Sequence, residues 1–116
     1  MTKNRALIPL LTMFVLTIAM WPSNSLQASS AAFQDAKSIF GSKCATCHGL
    51  DGSGNTATGK KLKIRDFRSP EVQKMTDAQF EAVIAKGKGK MTGYEKSLGA
   101  DKVKQLVAYT RELSKK

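Results

Sequence analysis

Two cysteines and the only histidine of this chain fall within five consecutive residues, Cys44-Ala45-Thr46-Cys47-His48. Thiols at this spacing can bridge, cycle as a redox dithiol, bind a metal or add to an alkene. A bridge would close a very small loop and constrain the unfolded chain little. A redox dithiol of the thioredoxin kind expects a preceding strand in a βαβ context, and no such pattern surrounds the segment. A zinc site needs more ligands than two Cys and one His, and no second pair exists. The remaining chemistry accounts for every position of C-x-x-C-H: it is the attachment sequence of c-type haem. Two thiols add across two vinyl groups on one porphyrin edge, a helical turn brings both sulfurs to that edge, and the next residue offers an imidazole to the iron.

The elements that must hold such a plate come from a short chain. Its 116 residues are 41% hydrophobic and 24% charged. That suffices for one small domain and excludes a two-lobed enzyme. Residues 1–28 read as a secretory leader. Lys3 and Arg5 precede an uncharged apolar run from Ala6 to Trp21, and Pro22-Ser23-Asn24 then breaks it. The small residues Ala28-Ser29-Ser30-Ala31-Ala32 place cleavage between 28 and 32. The run is shorter than the about 20 apolar residues that cross a bilayer, so the mature form is expected to carry no transmembrane span. Residues 29–116 are the exported domain, too small to be comfortable without a staple, which a covalently held porphyrin would supply.

Phe33, Ala36 and Phe40, flanked by Ile39, recur at helical spacing ahead of Cys44. Val103, Leu106, Val107, Thr110 and Leu113 form a second stripe near the C-terminus, with Tyr109 beside it. Thr76-Asp77-Ala78-Gln79 reads as a capping box that opens a third helix carrying Phe80, Val83 and Ile84 and ending at Gly87. Gly49 to Gly59, rich in glycine with Asp51, Ser53 and Asn55, reads as loop, and no strand pattern is evident. The expectation is an all-α fold of three to four helices. Two methionines outlast the leader. Met91 sits in a glycine-punctuated segment, Gly87-Lys88-Gly89-Lys90-Met91-Thr92-Gly93, suited to carrying a thioether to the second haem face. Met75, just before the third helix, reads as packing filler. An open or lysine-bound iron is the remaining alternative.

The haem motif, the methionine loop and the paired terminal helices together resemble the class I c-type cytochromes, small monohaem electron carriers of bacterial periplasms and photosynthetic lumens. The resemblance covers residues 32–116. It implies a small cytochrome c fold around one covalent haem c, with N- and C-terminal helices crossing near Ala36, Phe40, Leu106 and Tyr109. Thioethers are expected at Cys44 and Cys47, and axial bonds from His48 and, by likeness to the family's methionine loop, Met91. Two departures stand out. Thr92 follows Met91 where the family often has proline. Many relatives have a proline downstream of the motif that offers its carbonyl to the ligand histidine, but Pro70, the only proline after the leader, reads as a first-turn helix residue, so another backbone carbonyl, near Lys60 or Lys61, is expected to orient His48.

Nineteen Lys and Arg against nine Asp and Glu give a formal charge of +10. Lys86, Lys88, Lys90 and Lys96 bracket Met91, while Lys60, Lys61, Lys63, Arg65 and Arg68 come after the motif. Export and the lack of an aromatic-basic platform argue against nucleic acid. A ring of lysines at an exposed haem edge would instead steer an acidic face of a redox partner. The expected function is a periplasmic one-electron carrier, monomeric and not an enzyme, cycling Fe(II) and Fe(III). The alternatives are a haem protein with an open sixth position, for gas binding or peroxidatic chemistry, and an electron-transfer subunit of a larger oxidoreductase.

Overall fold

The computed structural model describes residues 25–116. The expected leader lies outside them apart from Ser25–Ala28, which form the first turn of helix α1 (Ser25–Ile39). The helical path continues through a π-helical turn, Phe40–Cys44, into α2 (Ala45–His48). In that turn the Ala45 N–H donates to the Phe40 carbonyl. Such a bulge puts one extra residue into the helix and rotates the next turn by about 100°. Ala36 and Phe40 can therefore face the C-terminal helix while the motif beyond them turns away from it.

Short helices come next: α3 (Ala57–Leu62), α4 (Pro70–Gln73, with Pro70 in its first turn), then α5 (Asp77–Lys86). A two-residue ribbon, β1 (Gly87–Lys88) and β2 (Met91–Thr92), leads to the short α6 (Glu95–Leu98) and to α7 (Ala100–Leu113). The capping box of α5 is complete, with reciprocal bonds between Thr76 and Gln79.

Helix α7 packs on both α1 and α5. Ala36, Phe40, Val103 and Leu106 are each only 1% exposed. Phe40 and Tyr109 stand 5.3 Å apart between ring centres, and Phe33 adds an edge-on contact to Tyr109 at 5.2 Å. The expected crossing of the terminal helices thus forms at the expected residues. Small Ala36 lets the backbones approach, and the aromatic rings fill the gap beside it.

Two local readings need correction. The glycine-rich segment does not stay loop to Gly59, because α3 begins at Ala57. The Thr56 hydroxyl accepts the Gly59 N–H at 2.8 Å, which caps that helix. The methionine loop, read without strand, folds into the antiparallel ribbon, with Gly87 opposite Thr92 and Lys88 opposite Met91. Gly87 and Gly89 both take positive φ, which allows so short a reversal.

Candidate functional site

Between α2, the 60–67 segment, α5 and the ribbon lies a cleft of two adjoining lobes. The inner lobe, about 300 Å³, is walled by Phe40, Phe67, Val72, Phe80, Ile84 and Leu106. The outer lobe, about 270 Å³, opens between Lys43, Cys47, Leu62, Lys90 and Tyr94. Cys44, His48, Ile64, Lys88 and Met91 line both. Apolar walls, a few polar groups at the rim and a combined size in the usual range for cofactor sites suit a large flat apolar group.

The motif is held by its own backbone. The loop after it folds back so that the Gly54 N–H donates to the His48 carbonyl at 2.7 Å. The Thr56 hydroxyl donates to the Cys47 carbonyl at 3.0 Å while capping α3. Gly59 packs so close that a Cβ there would collide with the carbonyls of Gly54 and Cys47. The Gly49 N–H donates to the Ala45 carbonyl at 2.8 Å, closing α2, and positive φ at Gly49 turns the chain away. Phe67 lies tilted against the His48 ring, 5.0 Å between centres, and touches Phe40 and Phe80 in turn.

Both cysteines are free, half-buried thiols. Burial pushes the Cys44 thiol up to about 11, with Lys43 pulling the other way, so it is held as S–H. Burial also lowers the His48 pKa, which favours the neutral imidazole that binds iron. The residues present therefore fit a covalently attached haem: two thiols on one helical turn, a neutral imidazole beside them, and an apolar wall opposite.

His48 Nδ1 is buried and meets no hydrogen-bond partner among the described residues. The expected carbonyl near Lys60 or Lys61 does not reach it. The Lys60 carbonyl is taken by the Lys63 N–H, and both lysine side chains are exposed. The motif is positioned instead through its carbonyls and the Phe67 ring.

Met91 enters from the ribbon and is half-buried. The Tyr94 N–H donates to the Ile84 carbonyl at 2.9 Å, and its hydroxyl donates to the Lys43 carbonyl at 3.3 Å, linking the ribbon's exit to the motif helix. Met75 borders only the inner lobe, and its carbonyl accepts from Arg111, which also pairs with Asp77 and lies over the Phe80 ring.

Of the six lysines singled out for docking, Lys88 and Lys90 border the cleft, whereas Lys60, Lys61, Lys86 and Lys96 are exposed without lining it. Thr56, Gly59, Phe67 and Tyr94 are site residues that sequence reading missed. Thr56 alone carried a signal, a helix-capping type before a short run, and glycine at its third helical position obscured it.

A protein-family model described as "Cytochrome C oxidase, cbb3-type, subunit III" matches residues 31–109. A protein from Nostoc sp. (strain PCC 7120 / SAG 25.82 / UTEX 2576) described as "Cytochrome c6-like" is 24% identical over 116 residues, which is 100% of this chain and 97% of the relative. A solved structure described as "KustC0563 c-type cytochrome" superposes with a TM-score of 0.62 at 31% identity, covering 67% of this chain and 95% of its own.

Proposed function

Since the chain belongs to that family, as a small class I c-type cytochrome with covalently attached haem c, we propose that it is a diffusible one-electron carrier in which His48 and Met91 would hold the haem iron. The observation that carries this reading is that His48 and Met91, from α2 and from the ribbon, line both lobes of one cleft together with Cys44. When bound, the haem supplies an iron that passes between Fe(III) and Fe(II) without binding a substrate.

The chain's own residues do the rest. Cys44 and Cys47 anchor one edge of the plate. His48 donates a neutral nitrogen, and the Met91 thioether, a soft ligand, favours Fe(II) and raises the potential. Phe40, Phe67, Phe80 and Leu106 exclude water from the ring, which limits the charge reorganisation that each electron transfer requires. The exposed lysines, Lys88 and Lys90 at the cleft with Lys86, Lys96, Lys60 and Lys61 around it, attract an acidic face of a redox partner and keep the complex weak enough to release. Residues 1–28 direct export to the periplasm or an equivalent compartment. Among the described residues no helix is long and apolar enough to cross a membrane.

The test is an absorption spectrum of the exported, haem-loaded protein in both oxidation states, with and without carbon monoxide. A low-spin spectrum with the far-red sulfur-to-iron band and no carbon monoxide shift is expected. A high-spin spectrum that shifts with carbon monoxide overturns the Met91 assignment in favour of chemistry at an open iron. Charge reversal at Lys88 and Lys90 is expected to slow electron transfer most at low ionic strength. An unchanged rate and salt dependence would move the docking face elsewhere. The family's description favours a second reading, an electron-transfer subunit of a larger oxidoreductase. Stable co-purification with a partner, in place of salt-sensitive encounter, would select it.

A further inference from the structure

Both methionines among the described residues, Met75 and Met91, border the inner lobe together with His48. Their thioethers are chemically alike, so ligand softness gives an iron no reason to prefer one to the other. The choice lies in how the main chain holds each side chain.

Met91 follows an exposed two-residue reversal, Gly89-Lys90, in a ribbon with few tethers. Met75 is fixed at the joint between α4 and α5. Its N–H donates to the Val72 carbonyl at 3.1 Å, and Thr76 after it is locked into the capping box. Its carbonyl accepts from Nη2 of Arg111, which comes across from α7. Nε of the same guanidinium donates to Asp77 at 2.8 Å, and its central carbon lies 4.3 Å from the centre of the Phe80 ring.

One planar group thus grips the main chain of Met75, the carboxylate of Asp77 and the ring of Phe80, itself a wall of the inner lobe. Arg111 borders neither lobe, so it acts from behind that wall. The ion pair is the lesser part of the grip, because Asp77 is 76% exposed and exposed pairs contribute little. What an ammonium could not reproduce is the planar fork, which reaches a carboxylate and a carbonyl at once while its face rests on a ring.

We propose that Arg111 is a positioning residue that selects the iron's methionine: by holding the Met75 main chain and the Phe80 ring in the wall, it withholds the Met75 sulfur and leaves the place to Met91. This rests on the reading above, in which Met91 is the second ligand. A restraint of this kind sets the population of two arrangements of the 74–76 joint. Releasing it lets the minor arrangement fill once its sulfur finds an iron.

The experiment is the oxidised-state absorption spectrum of the exported, haem-loaded full chain, with carbon monoxide binding in the reduced state. The variants are Met91→Ala, Met91→Ala/Arg111→Gln, and each of these with Met75→Leu added. Wild type is expected to show the far-red sulfur-to-iron band. Met91→Ala is expected to lose it and to bind carbon monoxide, because pinned Met75 does not replace the missing ligand. Met91→Ala/Arg111→Gln is expected to regain the band and to bind carbon monoxide more weakly, and adding Met75→Leu abolishes both changes. A merely structural Arg111 would lower the urea midpoint without restoring the band, and that result overturns the proposal. So does a Met91→Ala variant that keeps the band until Met75→Leu removes it, since Met75 then reaches the iron with Arg111 in place. If Met91→Ala/Arg111→Gln does not load haem, Met91→Ala/Arg111→Lys, which keeps the cation and loses the fork, decides by the same criterion. A wild type without the band that binds carbon monoxide overturns the Met91 ligand of the carrier reading itself.

Discussion

The two sides of the cleft are built differently. On the histidine side the motif belongs to a helical path that begins at Ser25, and its carbonyls are fixed by Gly54, Thr56 and the close approach of Gly59. On the methionine side a ribbon of two residues per strand is tied down chiefly through Tyr94, by one backbone bond to Ile84 and one long hydroxyl bond to Lys43. The first is fixed through several independent bonds, the second through few. The histidine side should therefore respond to substitution through global stability, and the methionine side through local opening at the iron.

The largest expected effect is that of Met91→Ala, which removes the proposed sixth ligand. It should convert the iron to a high-spin form that binds carbon monoxide while covalent haem and helicity are retained. A spectrum unchanged from wild type would show that the ribbon does not carry the ligand. Next is Gly59→Ala, whose Cβ has no room beside the Gly54 and Cys47 carbonyls. It should destabilise the whole protein by about 1–3 kcal/mol in urea unfolding, with the sixth ligand undisturbed below the transition. Thr56→Val ranks third. Loss of the α3 cap and of the donor to Cys47 should lower stability by about 1–2 kcal/mol, again as one cooperative transition. Smallest is Tyr94→Phe, which removes an exposed bond 3.3 Å long. Such a bond contributes about 1 kcal/mol at most. Its loss should appear as faster entry of carbon monoxide or cyanide at the iron, with little change in the urea midpoint. Were Tyr94→Phe to shift the midpoint as much as Thr56→Val, the contrast between the two sides would fail.

The same contrast separates what could be read from the sequence. C-x-x-C-H is legible because the chemistry confines three residue types to five positions. The crossing of α1 and α7 is legible because Ala36, Phe40, Leu106 and Tyr109 repeat at helical spacing on faces apolar enough to need each other. The capping box is legible because Thr76 and Gln79 satisfy each other locally. The features that escaped depend on residues distant in sequence or on main-chain geometry. Thr56 matters because the Cys47 carbonyl lies within its reach, and Phe67 because the loop carries it onto His48. The π-helical turn leaves no mark in composition. The carbonyl expected from Lys60 or Lys61 does not meet His48 for a related reason: α3 turns its Gly59 edge to the motif, and its Gly59 and Lys60 carbonyls serve its own C-terminal turn.

The path from Ser25 to His48 also has a consequence for the order of assembly. A chain made from its N-terminus completes both thiols and the imidazole before Phe80, Ile84 and Leu106 exist to wall them in. The contacts between α1 and α7 join opposite ends of the domain, and such long-range pairings form late. Until they do, the motif can form as a local helical turn with its sulfurs open to whatever delivers the porphyrin. Attachment first and closure second is the sequence of events that this layout permits, and the last helix synthesised is the one that shuts the box.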